Sequence, residues 1–78
     1  MILKMFSIHD EKAVAYITPF FMHNEMMATR QFKNMLTDEN ATISKNPEDY
    51  SLWYLGEFDD NSGEVIPDRK LLLSGNSL

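Results

Sequence analysis

Pro47-Glu48-Asp49-Tyr50-Ser51-Leu52-Trp53-Tyr54-Leu55-Gly56-Glu57-Phe58-Asp59 decides how this chain folds, because a turn there feeds an aromatic-rich strand that ends in acid and glycine. Over residues 51–58 a pleated strand sends Leu52, Tyr54, Gly56 and Phe58 to one side, and Ser51, Trp53, Leu55 and Glu57 to the other. Both sides carry apolar bulk. One is expected to meet a helix and the other a partner subunit or a ligand. Glycine in mid-strand marks a bulge or a close backbone approach, which is the expectation for Gly56. The stretch holds no nucleophile, metal cluster or phosphate loop, so its signature is structural.

Upstream, residues 24–37 carry the clearest helical pattern. Asn24 is placed to cap the first turn, and Glu25 suits the positive end of the helix dipole. Ala28, Phe32, Met35 and Leu36 fall at i, i+4, i+7 and i+8, an apolar stripe with Arg30, Lys33 and Asn34 directed elsewhere. The methionines read as core filling, since thioethers adapt to irregular gaps. Residues 38–47 read as a polar loop.

Closer to the start, residues 2–8 form a strand with Ile2, Lys4, Phe6 and Ile8 opposing Leu3, Met5 and Ser7. Residues 9–12 interrupt it, and residues 13–18 resume a strand, giving a hairpin. A short helix capped by Asp10 is the competing reading. Val14, Ile17 and Thr18 are β-branched and Pro19 follows, which favours the strand. After residue 59, Asp59-Asp60-Asn61-Ser62-Gly63 makes a turn into a short strand at residues 64–66 that Pro67 ends. Residues 68–78 read as a C-terminal tail, with residues 75–78 mobile. The expected fold is a single α+β domain over residues 1–67: an antiparallel sheet of three or four strands with one main helix packed on it, in a ββαββ-like order.

With 78 residues and no Cys, a chain this short buries only about 60–65% of the surface its unfolded form exposes. Without cross-links or a structural metal, self-association is the remaining stabilising device, so a homodimer is expected. The absence of Cys fits a reducing compartment. The first eight residues lack a basic start, a long apolar run and a small-residue cleavage site, and no run approaches the roughly 20 residues of a membrane span. The net charge of −5 argues against binding duplex DNA through a general basic surface.

The chemistry-bearing residues give no catalytic site. Asp59, Asn61 and Gly63 superficially match a calcium loop, but Gly63 comes one position early and Lys70 stands where a bidentate Glu is required. His9 and His23 lack the neighbouring ligands of a metal site. Adjacent Glu48 and Asp49 point apart, as a turn does and an acid/base pair does not. No metal and no cofactor are expected. Aromatic side chains interleaved with cations are more informative, because stacking on a ring is worth about 1–3 kcal/mol per base. Tyr16, Phe20, Phe21, Trp53, Tyr54 and Phe58 lie in or beside strands. With Lys4, Lys12, Arg30 and Lys33 nearby in the pattern, the candidate nucleic-acid-binding set is Arg30, Lys33, Trp53, Tyr54, Lys4 and Lys12.

Asp10 with Lys12, Pro19-Phe20-Phe21, Ala28-Thr29-Arg30-Gln31-Phe32, Pro47-Glu48-Asp49-Tyr50-Ser51-Leu52 and Leu55-Gly56-Glu57-Phe58-Asp59 together resemble, in this order, the small nonstructural protein of gokushovirus-type microviruses. These are icosahedral phages with single-stranded DNA genomes. The resemblance spans residues 1–67. It implies a non-capsid, DNA-binding protein of the host bacterial cytoplasm, active in genome replication at the switch to single-strand synthesis and packaging. Together with the ring-rich strands it makes a non-enzymatic factor that binds single-stranded DNA the leading expectation. The alternative is an interaction module that docks on a replication initiator, a host replication protein or the procapsid and touches no DNA.

Overall fold

The structure is a computed structural model that describes residues 1–77; Leu78 lies outside the described residues. The segment with the strongest helical pattern forms α1 (Glu25–Thr37), and Asn24 caps it by accepting a hydrogen bond from the Met27 N–H at 2.9 Å. Ala28, Phe32 and Leu36 on its buried stripe meet Phe6, Ile8, Leu52 and Tyr54. Phe32 is fully buried, and replacing such a ring by Ala costs about 3–5 kcal/mol, a large share of the stability of a domain this size.

Those sheet residues come from two long central strands, β1 (Ile2–Asp10) and β4 (Tyr50–Asp59), which pair antiparallel. The outer side of β1 is shared by two short strands, β2 (Ala15–Tyr16) beside its end and β3 (Phe20–Met22) beside its start. On the other side of β4 runs β5 (Val65–Ser74). The result is an α+β domain with one antiparallel sheet and one main helix against a single face of it.

Three features depart from the sequence reading. Of the strand expected at 13–18 only Ala15 and Tyr16 form and pair, because the hairpin loop consumes Glu11 to Val14. Asp10 Oδ1 accepts from the backbone of Lys12 and Ala13 in that loop, and Val14 closes it with φ +53°. Residues 38–47 contain a 3-10 turn at Thr42–Lys45, whose Ile43 packs on the core. The last strand does not stop at Pro67: it continues through residues 68–74. Pro67 is tolerated because β5 lies at the edge of the sheet, where one row of backbone groups has no strand to bond.

The fourth departure is the most consequential. Opposite Met5 and Phe6, β4 supplies Gly56 and Tyr54, so Leu55 is an extra residue in that ladder. Gly56 has φ +140°, and a Cβ there would collide with the Ile66 carbonyl oxygen of β5. The expected bulge is therefore present. Its effect is to reverse the alternation beyond it: Tyr54 pairs with Phe6 on the helix side, whereas Phe58 pairs with Leu3 on the opposite side. Glu57, expected beside Trp53, pairs with Lys4 on the helix side instead.

Two substitutions test these backbone positions by urea denaturation. Val14 is β-branched, left-handed and 79% exposed, so Val14→Asn removes strain at no packing loss and should stabilise by about 1 kcal/mol. Gly56→Ala meets both an unfavourable φ and a backbone collision, and should destabilise by more than about 2 kcal/mol.

Candidate nucleic-acid interface

The sheet has one face covered by α1 and one that no described element covers. Register assigns the open face Leu3, Met5, Ser7 and His9 from β1, Ser51, Trp53, Gly56 and Phe58 from β4, and Val65, Pro67, Arg69 and Leu71 from β5. Tyr16 opposite His9 and Phe21 opposite Met5 complete it. Phe21 and Leu71 are 47% and 52% exposed, far more than core residues of that size. Ser7 is buried at the centre, where its hydroxyl donates to the Ile17 carbonyl at 2.8 Å.

Four side chains gather near one end of this face. The Trp53 ring lies 5.9 Å from that of Tyr16 and 6.4 Å from that of His9, both in edge-to-face contact, and Tyr16 and His9 are 4.5 Å apart. The Trp53 indole N–H donates to Ser51 Oγ at 2.9 Å, which fixes the ring in its plane. Arg69 places its guanidinium carbon 5.5 Å from the Trp53 ring centre and reaches the Tyr16 hydroxyl at 3.5 Å. Such a cation–π contact holds a positive charge over an aromatic surface. His9 Nδ1 is buried, 3.4 Å from Glu11 Oε1 and without a hydrogen bond among the described residues.

The charge distribution is uneven. Among the described strand residues, register puts no Asp or Glu on the open face. Their electrostatic mark is on the other side: the Tyr54 hydroxyl is pushed above its ordinary pKa by burial, then by Glu57, Asp68 and Glu25. Lys70 answers these acids, 3.8 Å from Glu25 and 5.2 Å from the Tyr54 ring centre. A chain with net charge −5 thus presents one sheet face on which the described strands carry the Arg69 cation and no carboxylate, with Glu11 of the adjoining loop reaching His9 at one end.

The residues expected from sequence fall in separate places. Trp53 is central to the open face. Tyr54 is 6% exposed and packs edge-on to Phe6 at 5.6 Å inside the core. Arg30 and Lys33 line an open depression of about 540 Å³ on the outer side of α1 with Glu25, Met26, Thr29 and Asn34. Lys4 pairs with Glu57 and Met22 toward the helix side, and Lys12 stands in the exposed β1–β2 loop. Arg69 was not singled out, because only its registry across β4 brings it over Trp53. His23 is exposed just before α1, away from His9, and no group of three or more His, Cys, Asp or Glu among the described residues is placed to hold a metal ion. Asp59, Asn61 and Gly63 form the β4–β5 turn, where Asp59 Oδ1 accepts from the Asn61 N–H and that bond lowers its pKa. No helix of the described residues is long and apolar enough to cross a membrane.

The buried phenol has a measurable consequence. In the unfolded chain Tyr54 ionises near pH 10, and in the folded chain it ionises higher. The native state therefore holds the proton longer, so this contribution to stability is complete below about pH 10 and is lost as pH rises through the folded pKa. Urea midpoints should fall more steeply above about pH 10 in the parent than in Tyr54→Phe; parallel curves would show that the phenol carries no such linkage.

Comparison with curated proteins and with solved structures found no match. A family profile, described as Phage ORF5 protein, matches residues 3–78, including the whole of β5 and the open face it helps to build. The chain belongs to the Phage ORF5 protein family and is a small phage protein.

Proposed function

We propose that this phage protein is a non-enzymatic accessory factor of the gokushovirus type that binds single-stranded DNA on the open sheet face, in the host bacterial cytoplasm, at the switch to single-strand synthesis. The observation that carries this reading is the Trp53–Tyr16–Arg69 assembly on a face without strand carboxylates. An antiparallel sheet with exposed rings is a suitable platform for unpaired bases: an unpaired base has a flat face free to stack, whereas the faces of bases inside a duplex are already stacked on their neighbours. Arg69 supplies a positive charge for a phosphate beside the stacked base. Arg30 and Lys33 lie on the far side of the helix layer and have no part in this contact. The thin core, with seven buried apolar side chains among the described residues, supports self-association as a dimer, read by sedimentation velocity.

Fluorescence anisotropy of a labelled single strand and its duplex separates the outcomes. The single strand should bind at least about ten-fold more tightly than the duplex, and Trp53→Ala should weaken it by about 1–3 kcal/mol. Arg69→Ala should also weaken binding, while Arg30→Ala leaves it unchanged. With so few cations at the face, the plot of log K against log salt should have a slope of only about −1, the value for one or two phosphates. Equal affinity for duplex, or indifference to Trp53→Ala, would reject the site. A complete lack of DNA binding would instead favour docking on a replication protein or the procapsid.

A further inference from the structure

The open face carries a second aromatic pair that the Trp53 assembly does not use. Phe21 from β3 and Phe58 from β4 lie with ring centres 5.8 Å apart and a 49° tilt. Phe58 reaches this face because the bulge at Leu55 reverses the strand's alternation, and Phe21 is 47% exposed. Against the common ruler of β1, the two groups are in step. Phe58 is opposite Leu3 and Trp53 opposite Ser7, while Phe21 is opposite Met5 and Tyr16 opposite His9. Both intervals are four residues, about 13 Å of strand. Between them the face carries the buried Ser7, the half-buried Met5 and, opposite Met5, Gly56, which has no side chain.

We propose that the two ring pairs are two stacking subsites for one DNA strand, which crosses the face along β1 and places separated bases on Trp53–Tyr16 and on Phe21–Phe58. This inference rests on the single-strand-binding reading and adds a length requirement to it. A strand is the fitting occupant because the track is free of strand carboxylates and holds a cation at one end. Even at twice the stacked rise of about 3.4 Å per nucleotide, the single step of a dinucleotide covers about 7 Å and reaches one subsite alone. An octanucleotide spans both. Once one base is seated, the second subsite is met at high local concentration, so one further stacked base adds about ten-fold in affinity or more.

Trp53 is the chain's one tryptophan, so its fluorescence reports the first subsite directly. Titrations of the full chain with thymidine dinucleotide and octanucleotide, at one chain per strand, should both quench it, the octanucleotide at about ten-fold lower concentration or less. Phe21→Leu keeps apolar bulk but removes the ring. It should leave the dinucleotide response intact and abolish most of the length gain, with an unchanged thermal melt showing that the fold is kept. Phe58→Leu gives an independent second reading at the same subsite. A length gain that survives both variants would overturn the two-subsite proposal while leaving single-strand binding standing. Silence toward both oligonucleotides would remove the underlying reading as well.

Discussion

The bulge at Leu55–Gly56 is the constraint on which the arrangement of side chains depends. A regular strand would have kept Tyr54 and Phe58 together and left Glu57 beside Trp53. The extra residue divides them. Tyr54 stays in the core against Phe6, Glu57 joins the acids of the helix side, and Phe58 crosses to meet Phe21 on the open side. Only glycine suits position 56, since φ +140° is strained for any side chain and the Ile66 carbonyl occupies the place of a Cβ. One backbone irregularity thus sorts rings from carboxylates across a sheet two residues either side of it.

How much of this was legible follows from the range of each interaction. The helix was readable because capping by Asn24 and the spacing of Ala28, Phe32 and Leu36 are local. The two central strands were readable from alternation. The bulge itself was signalled by Gly56, but its consequence was not, because a bulge is defined against partner strands and a one-residue slip reverses every side chain that follows. The strand β5 was hidden for a related reason: Pro67, Asp68, Arg69 and Lys70 break the apolar pattern, and they are acceptable only because one of its edges meets no other strand. Of the candidate site, Trp53 was visible as a ring in a polar setting. Arg69 was not, since its link to Trp53 and Tyr16 spans two strand pairings.

The open face exists at an energetic cost that the small core makes harder to bear. Phe21, Val65 and Leu71 leave apolar area in water, area that would each contribute on the order of 1 kcal/mol or more if buried. The sheet's edges are less inviting to another chain. One is broken into β2 and β3, only two and three residues long, and the other carries Pro67 and charged residues that discourage strand addition. What remains available for recognition is therefore the face and not the rim.

An acidic protein that binds DNA must solve a problem of range. At physiological salt the Debye length is about 8 Å, so the net charge repels a strand at a distance but is largely screened across the thickness of the domain. On contact, the local surface decides, and here it is rings with a cation above them. On the proposed reading, repulsion would slow encounter and stacking would hold what arrives. A chain built this way would not coat DNA indiscriminately as a basic protein does; it would select strands whose bases are already unpaired, which is the discrimination that a switch from duplex to single-strand synthesis requires.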